Sequence, residues 1–381
     1  MLKLFEVSGF KNFEVPISLD FSDVREYRFN TDCINNDMLG KAIIYGKNAI
    51  GKSNFGLALC DVAMPKTRIA QDGVLEDYGD LTYLNSSNKT GYAEFRYVFQ
   101  FGNDKVEYLY RKDAYRTFVY EKVTINDILL FEYDCNDESN RNIEGLRTLS
   151  PTLVLDFENI GSSILMYVRN NTALDDFHPL KRTVDFILGM RFISVAPERK
   201  LRQQRMSHFY PQRLFDDKLV LEELQNLFKD ADIKIILEIR KDDDGKERLF
   251  AKTSEDSSSH LFYDVASSGT IALYQFFYLY KSIQEQPKNR ISVVFLDEFD
   301  ALYHVELAET IVNLVKKLEN TQVIFTSHNT NLLSNRIMRP DCYFILSKNK
   351  LMSFVNATDR ELREGHNLQN LYKSGEFDEE A

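Results

Sequence analysis

The alternation of apolar and polar residues predicts two groups of β-strands in the first third of the chain. Residues 2–7 and 17–21 alternate with a period of two on either side of a turn, so we expect them to pair. Further on, segments rich in β-formers follow one another with turn residues between them, which predicts an antiparallel meander. The four predicted strands of the meander are 93–101, 106–111, 118–125 and 128–133.

Uninterrupted apolar runs, several of which end at polar residues, predict a second and buried sheet. Two helices are expected in the same part of the chain. Residues 307–318 have helical periodicity, and residues 271–283 are apolar on nearly all sides, which indicates a buried helix. The predicted strands of the buried sheet are 42–45, 291–296, 322–326, 343–346 and 351–355.

The middle of the chain, residues 150–230, mixes apolar and polar positions and is predicted to be mainly helical. A buried element is expected at 184–195 and an amphipathic helix at 219–228. Residues 233–240 and 248–253 are predicted to form a hairpin, because a polar turn separates two strand-like segments.

Residues 46–53 follow the first buried run and have the spacing of a phosphate-binding loop, Gly-x-x-x-x-Gly-Lys-Ser. Gly46 and Gly51 allow a tight backbone turn, and the helix expected beyond the loop favours anions at its N-terminus. Lys52 would reach the β- and γ-phosphates of a nucleotide, and Ser53 would hold Mg²⁺. The predicted nucleotide-binding residues of the loop are Gly46, Lys47, Asn48, Ala49, Gly51, Lys52, Ser53 and Asn54.

Polar residues with catalytic chemistry follow two further buried runs. Asp297 ends the run at 291–296 and would organise Mg²⁺, while the neighbouring Glu298 would polarise the attacking water. His328 follows the run at 322–326 and is the candidate sensor of the γ-phosphate. The predicted catalytic residues are Glu298, His328 and Lys52, and the predicted metal ligands are Ser53 and Asp297.

Two further segments have more than one interpretation. The turn at 267–270, Ser-Ser-Gly-Thr, precedes the apolar helix and would bind anions, although such a turn is also typical of a plain helix N-cap. The basic cluster at 199–205 would contact nucleic-acid phosphates or an acidic partner, or form a solvated helix face.

The bulk composition narrows the class of protein. The 381 residues, 44% hydrophobic and 28% charged, are typical of a soluble globular protein, and the net charge of −11 provides no global basic field for nucleic acid. The four cysteines form no CxxC pair or metal-ligand cluster, which favours a reducing cytoplasm. We expect neither a signal peptide nor a membrane-spanning segment.

Along the chain the motifs follow one another in the order 46–53, 267–270, 297–298 and His328. This order resembles that of the ATP-binding-cassette (ABC) ATPase heads, and among them the SMC, RecF and OLD branch. The turn Phe-Lys-Asn-Phe at 10–13 is similar to the turn that opens those heads, and 297–302 resembles the SMC strand end. The switch at 325–329, the signature at 267–270 and the tail at 371–377 resemble compact stand-alone AAA-type ATPases, many of which are encoded in phage-defence and abortive-infection loci.

This resemblance implies an α/β P-loop NTPase of the ABC-ATPase head type, with a mixed central sheet, an antiparallel β-lobe and an inserted helical lid. The expected parts are an N-terminal lobe at 1–150, a helical insertion at 151–232 and a C-terminal lobe at 233–381, which together form one composite ATPase domain. The gap between Lys52 and Ser267 is too short for an SMC coiled coil and lacks heptads. A GTPase base-reading motif is absent, so ATP is favoured.

By the same resemblance, two heads sandwich two ATP molecules, and each head lends its signature to the partner's γ-phosphate. A homodimer or a larger even homo-oligomer is therefore expected. His304 lies where SMC heads place a dimer-contacting Asp. Gln100, at the end of a predicted strand, is either the glutamine of the Q-loop or a plain strand-end residue. The nucleotide-binding residues implied outside the phosphate loop are Lys11, Ser267, Ser268 and Gly269.

Three functions remain open at this point. The first is a cytoplasmic, Mg²⁺-dependent regulatory ATPase that controls a separate effector, a nuclease or toxin, in anti-phage defence. The second is a RecF-like DNA-binding repair or loading ATPase, and the third is a scaffold that binds ATP with little turnover. No nuclease constellation is visible beyond Asp297, Glu298 and Asp300, so the chain alone is not expected to cut DNA.

Overall fold

The computed structural model describes residues 1–63, 83–114, 117–157, 163–194, 218–241, 245–285 and 291–377. The chain forms two compact units. The first comprises Met1–Ile193, Asn289–Asp297 and Glu319–Ala381, and the second comprises Ser194–Lys288 and Glu298–Leu318. The phosphate loop therefore belongs to the first unit, and the serine-rich turn at 267–270 belongs to the second.

The strands are numbered in chain order, and β11 to β13 lie in the second unit. They are β1 (Leu2–Ser8), β2 (Ile17–Asp20), β3 (Ile34–Asn35), β4 (Met38–Leu39), β5 (Lys41–Tyr45), β6 (Ala93–Phe101), β7 (Asp104–Ala114), β8 (Thr117–Ile125), β9 (Ile128–Asp134), β10 (Met190–Ser194), β11 (Ile236–Lys241), β12 (Glu247–Lys252), β13 (His260–Leu261), β14 (Val293–Asp297), β15 (Gln322–Thr326), β16 (Tyr343–Leu346) and β17 (Leu351–Ser353).

The α-helices are numbered in the same way, and α4 to α7 lie in the second unit. Within the described ranges they are α1 (Lys52–Leu59), α2 (Ile164–Asn171), α3 (Pro179–Leu188), α4 (Lys218–Asp230), α5 (Phe262–Val265), α6 (Ser268–Glu285), α7 (Val305–Lys316) and α8 (Leu368–Lys373). No helix in this described part of the chain has the length and apolar character needed to cross a bilayer.

An antiparallel sheet of six strands, as counted over the described residues, has the order β2-β1-β6-β7-β8-β9. β1 pairs with β2, and β6 to β9 form the meander, so both predictions are confirmed. Apolar and polar residues alternate along these strands because one face of the sheet is buried. Phe95 and Tyr97 point into the core, while Arg96 between them is half-buried and contacts Glu107 of β7 at 2.7 Å.

The second large sheet also has six strands in the described ranges, in the order β10-β14-β15-β5-β16-β17. β14, β15, β5 and β16 are parallel, and β17 runs antiparallel to β16. Every residue of β5, β14 and β15 is buried, which explains why these strands are uninterrupted apolar runs. The predicted α/β fold, with its mixed central sheet and antiparallel lobe, is confirmed.

Helix α1 packs against residues of both sheets. The Phe55 ring lies 5.5 Å from Phe5 of the antiparallel sheet, between ring centroids. On the other side, a Cβ atom at Gly56 would lie 2.3 Å from the Phe295 ring of β14, so only glycine permits this approach. The Tyr97 hydroxyl lies 3.1 Å from the carbonyl oxygens of both Ala58 and Leu59, so its single proton supplies a donor to the C-terminal end of α1.

The prediction of one buried element at 184–195 is corrected by the structure. Helix α3 ends at Leu188, with Gly189 as its C-cap, and β10 begins at Met190 on the edge of the central sheet. The two elements are joined without a polar turn, so the apolar pattern runs through the boundary. The structure describes α2, α3 and α4 in the region predicted to be mainly helical, together with this strand.

The second unit contains the predicted hairpin, formed by β11 and β12, with β13 paired to β12. Helix α6 is buried along most of its middle, as expected from its apolar surface. Its Tyr274 ring packs on Phe262 at 5.0 Å and on Tyr278 at 4.7 Å, between centroids. This aromatic cluster fixes the helix that begins at the serine-rich turn.

Lys41 begins β5 and is 1% exposed. Its Nζ donates to the carbonyl of Thr321 at 3.0 Å. Burial lowers the pKa of Lys41 to about 8, although the nearby Asp32 carboxylate favours the charged form. Between pH 8 and the pKa of the unfolded chain, about 10.4, the unfolded state binds more protons, so the free energy of unfolding rises with pH in this window.

We therefore expect Lys41→Met to stabilise the protein at pH 7 relative to the parent chain, by up to about 3 kcal/mol less the lost hydrogen bond. The advantage should shrink as the pH rises from 8 to 10, because Lys41 loses its charge in the folded state. Urea unfolding of both proteins across this pH range measures the difference between their free energies of unfolding. The titration of cysteines and tyrosines is common to both proteins and cancels in this difference. A pH-independent difference would contradict the assignment.

Candidate functional site

The phosphate loop follows β5 and precedes α1, as the sequence predicts. Gly46 and Gly51 have φ angles of 156° and 114°, which side chains disfavour, and Ala49 is left-handed with φ of 61°. A Cβ atom at Gly46 would lie 2.7 Å from the carbonyl oxygen of Leu346. Glycine is therefore required there by the close approach of the backbone as well as by its conformation.

Lys52, the first residue of α1, lies on the loop that precedes it. Its side chain is buried, and Nζ donates to the carbonyls of Gly46 at 2.9 Å and Lys47 at 3.2 Å. Ser53 and Asn54 follow in the first turn, where the helix dipole and the amides favour an anion. The exposed residues of the loop are Lys47, Asn48 and Ala49.

Asn12 connects the N-terminal turn to the phosphate loop, a role that the sequence analysis missed. Its Nδ2 donates to the carbonyl of Ile50 at 2.6 Å, and its Oδ1 accepts from Nδ2 of Asn54 at 2.8 Å. A Cβ atom at Gly51 would lie 2.1 Å from Asn12 Nδ2. The signal was available in part, because Asn12 lies in the opening turn on which the family resemblance rests.

Lys11, the predicted nucleotide contact in the same turn, has a left-handed backbone with φ of 48°. Its amide donates to the Tyr83 carbonyl at 2.9 Å, and its Nζ lies 5.6 Å from the centre of the Phe10 ring. The turn is thus held on one side by Tyr83, in the segment that precedes β6, and on the other, through Asn12, by the phosphate loop.

Asp297 ends β14 and is 2% exposed. Its Oδ1 accepts a hydrogen bond from Thr326 Oγ1 at 2.9 Å, and Thr326 ends β15, the strand between β14 and β5. The ends of neighbouring parallel strands therefore bring Asp297 to the edge of the sheet that bears the phosphate loop. Glu298 follows directly, half-buried and with φ of 51°, a conformation uncommon for glutamate.

His328 follows β15 and is exposed. The residues beside it are fixed. The Ser327 amide donates to the Ile44 carbonyl at 3.3 Å, and the Asn329 amide donates to Ser327 Oγ at 2.9 Å. The Tyr45 hydroxyl, at the end of β5, donates to the Asn329 carbonyl at 3.2 Å. Strand β5 thus holds both the phosphate loop and the segment that carries His328.

In the second unit, Ser267 and Ser268 are exposed at the start of α6. Ser267 caps the helix, since its Oγ accepts from the Thr270 amide at 3.2 Å. A Cβ atom at Gly269 would lie 2.8 Å from the Leu302 carbonyl, so this turn packs closely on the segment that follows Glu298. The N-cap interpretation and the anion-binding interpretation are compatible with this geometry.

Three minor candidates have the following positions. His304 is exposed and is the N-cap residue of α7. Gln100 lies near the end of β6, where its Nε2 donates to the Gly102 carbonyl at 2.7 Å, as a strand-end residue does. The basic cluster at 199–205 lies outside the described residues. Among those described, no group of three or more His, Cys, Asp or Glu side chains is arranged to hold a metal ion.

The sequence matches the family described as "AAA domain, putative AbiEii toxin, Type IV TA system" over residues 41–334, which is most of the chain. The chain belongs to this AAA family. The predicted relationship to compact AAA-type ATPases of abortive-infection loci is thereby confirmed at the level of the family. No curated protein matches the sequence of this AAA domain.

Solved SMC heads are similar to this AAA domain at low sequence identity. An SMC head bound to the C-winged helix domain of ScpA has a TM-score of 0.45 and 15% identity, and the alignment covers 92% of this chain and 97% of that chain. The SMC head domain from Thermotoga maritima has a TM-score of 0.44 and 15% identity, and the alignment covers 92% of this chain and 98% of that chain. An SMC head with an extended coiled coil, bound to the C-terminal domain of ScpA derived from Pyrococcus furiosus, has a TM-score of 0.43 and 13% identity. The alignment covers 92% of this chain and 96% of that chain. The family match, and not these weak likenesses, identifies the chain.

The contact of Asn12 with the loop leads to a prediction. Asn12→Asp keeps the acceptor for Asn54 but replaces the donor to the Ile50 carbonyl by a carboxylate oxygen. We expect nucleotide affinity to fall roughly tenfold, through the lost hydrogen bond and the charge placed beside the loop. Titration with a fluorescent ATP analogue measures it. Asn136→Asp, which adds the same charge in an exposed loop of the lobe, is the control, and equal affinities for the two variants would contradict the role of Asn12.

Proposed function

We propose that the chain is a Mg²⁺-dependent ATPase in which ATP binding joins two copies and hydrolysis releases them. The observation that carries the proposal is the phosphate loop. Its two glycines have φ angles that side chains disfavour, and the buried ammonium of Lys52 contacts the loop carbonyls. A loop of this shape, at the start of a helix, supplies the amides and the cation that hold a triphosphate.

Ser53 and Asp297 fit Mg²⁺ by the chemistry of their donor atoms. Hydroxyl and carboxylate oxygens are hard ligands, and Mg²⁺ at nucleotide sites is held by few protein oxygens together with the phosphates. The hydrogen bond from Thr326 fixes the orientation of the Asp297 carboxylate, as outer contacts of metal ligands commonly do. When bound, Mg²⁺ would neutralise charge on the phosphate oxygens.

The remaining roles are assigned to residues of this chain. Lys52 would donate to the β- and γ-phosphate oxygens, and Glu298 would orient the attacking water and accept its proton. His328 would donate a hydrogen bond to the γ-phosphate. The strained backbone of Glu298 supports its role, because left-handed non-glycine residues cluster at functional sites. The residues proposed to bind nucleotide beside these are Lys11, Gly46, Lys47, Asn48, Ala49, Gly51 and Asn54.

The exposed helix start at Ser267, Ser268 and Gly269 is proposed to act on the nucleotide of a partner copy. Its two serines are exposed, and the helix they begin is long and well packed, which supports an anion site that a second chain could use. In a homodimer or a larger even assembly, the signature of each copy would then contact the nucleotide bound by the phosphate loop of another copy.

We further propose that this pairing controls a separate effector, a nuclease or toxin, in anti-phage defence in the cytoplasm. The family description names a putative toxin of a type IV toxin–antitoxin system, which supports a role in such a system, while the separate effector is our proposal. Growth arrest caused by this chain alone would instead make the chain itself the toxin. Strong stimulation of ATP turnover by duplex DNA at physiological salt would favour a RecF-like repair or loading ATPase.

Glu298→Gln tests the catalytic assignment. We expect the rate of ATP hydrolysis to fall by about 100-fold or more, because a general base contributes that much, while ATP binding persists. Native mass measurement with ATP and Mg²⁺ should show a trapped dimer. Glu306→Gln, in the exposed first turn of α7, removes the same charge and serves as the control. Parent-like turnover by Glu298→Gln would show that another group activates the water.

A mixing experiment tests whether the signature acts on a partner. Lys52→Ala should lose nucleotide binding, and Ser268→Arg should block the anion site at the helix start, so each variant alone is expected to be inactive. Mixed in equal amounts, they form some dimers with one intact composite site, and we expect roughly a quarter of parental activity. If the mixture stays as inactive as its components, the two motifs do not act across copies.

A further inference from the structure

The tail motif at 371–377 is anchored beside the strand that leads into the phosphate loop. The Phe377 ring is 1% exposed and stacks on Phe354 with centroids 4.0 Å apart. Tyr372, in α8, stacks on the same Phe354 at 6.0 Å and lies 5.9 Å from Tyr45, the last residue of β5. Helix α8 therefore packs on the core of the first unit, with Leu368 fully buried.

One polar side chain of α8 reaches the segment that follows His328. Gln369 is half-buried, and its Nε2 donates to Asn331 Oδ1 at 2.7 Å and to Thr330 Oγ1 at 3.2 Å. The position of Gln369 on the helix is well defined, because Leu368 is fully buried and the side chain of Asn367 caps the helix. The contact joins two segments that are separated by about 40 residues of sequence.

From Asn331 the hydrogen bonds continue to both sides of His328. The Asn331 amide donates to Asn329 Oδ1 at 3.1 Å, and the Asn329 amide donates to Ser327 Oγ at 2.9 Å. Ser327 in turn is held by the Ile44 carbonyl of β5. The backbone that carries the exposed His328 imidazole is thus held by β5, through Ile44 and Tyr45, and on its C-terminal side also by Gln369 through Asn331.

We propose that Gln369 is a positioning residue for His328 and that α8 is the element that sets the conformation of the switch segment. The proposal rests on the proposed function insofar as His328 is taken to contact the γ-phosphate. An exposed side chain in a short loop reaches a productive geometry only when its neighbours are held, so the hydrogen bonds of Gln369 should affect the hydrolysis step more than nucleotide binding.

The first test does not depend on ATPase activity. Gln369→Met keeps the length of the side chain and removes its hydrogen bonds, and Lys373→Met changes an exposed residue of the same helix as the control. The chain has six histidines, so the NMR signal of the His328 ring can be assigned by its loss in His328→Ala. We expect Gln369→Met to shift this signal and Lys373→Met to leave it in place. An unchanged signal in Gln369→Met would overturn the proposal.

The second test measures hydrolysis. We expect Gln369→Met to lower kcat roughly fivefold with KM nearly unchanged, as the loss of about one net hydrogen bond allows. Gln369→Glu should retain part of the activity, because its carboxylate can accept from Thr330 and, with the amide turned, from Asn331. In a His328→Ala background the same Gln369→Met change should have no further effect, since the two residues act in one chain of contacts.

The outcomes separate the two proposals. A parent protein that does not hydrolyse ATP contradicts the proposed function, whereas the NMR comparison still decides whether Gln369 holds His328. If hydrolysis is observed and Gln369→Met lowers kcat equally in the parent and His328→Ala backgrounds, Gln369 does not act through His328 and the positioning role is wrong. A fall in kcat of the same size for Lys373→Met would also overturn it.

Discussion

The packing of α1 against both large sheets is the constraint on which the phosphate loop depends. The helix approaches β14 closely only because Gly56 has no side chain to meet the Phe295 ring, and on its other side Phe55 contacts Phe5. Its two ends are also held, by Asn12 at the loop and by the Tyr97 hydroxyl at the last carbonyls. Since the loop is the start of this helix, its shape follows from how the helix is fixed.

Buried polar groups reinforce the same arrangement. Asp61 lies just beyond α1 and accepts from the Tyr110 hydroxyl at 2.8 Å and from Lys112 Nζ at 2.6 Å, both on β7. This ion pair between Lys112 and Asp61 is almost fully buried. Removing one partner of such a pair destabilises the protein, because the remaining charge is then buried without a compensating charge. The antiparallel lobe therefore does more than cover the core: it ties the helix of the phosphate loop to a rigid sheet.

The parts that the sequence predicted are those encoded by consecutive residues. The loop at 46–53 and the pair Asp297 and Glu298 are contiguous, and each follows a run of apolar residues that defines its strand. The topology of parallel strands then brings the loop, Asp297 and the segment of His328 to one sheet edge, because carboxyl ends of parallel strands meet there. Order along the chain was sufficient for this part of the prediction.

What could not be predicted depends on contacts between distant residues or on a boundary without a polar turn. Gln369 and Asn331 lie 38 residues apart, and no local pattern links an amide in a short helix to a loop in another part of the chain. The burial of Lys41 at the start of an otherwise apolar strand is likewise set by its neighbours. The boundary between α3 and β10 was missed because apolar residues continue across it.

The position of Lys52 has a consequence for the energetics of nucleotide recognition. In this structure its ammonium group donates hydrogen bonds to the loop's own carbonyls, at Gly46 and Lys47. A ligand that recruits Lys52 must exchange those internal contacts for its own oxygens, so the measured affinity is a difference between two sets of charge-assisted hydrogen bonds. Such an exchange favours the ligand with the greatest negative charge within reach of the ammonium. At the nucleotide site proposed above, we therefore expect the loop to discriminate between nucleotides that differ by a single phosphate.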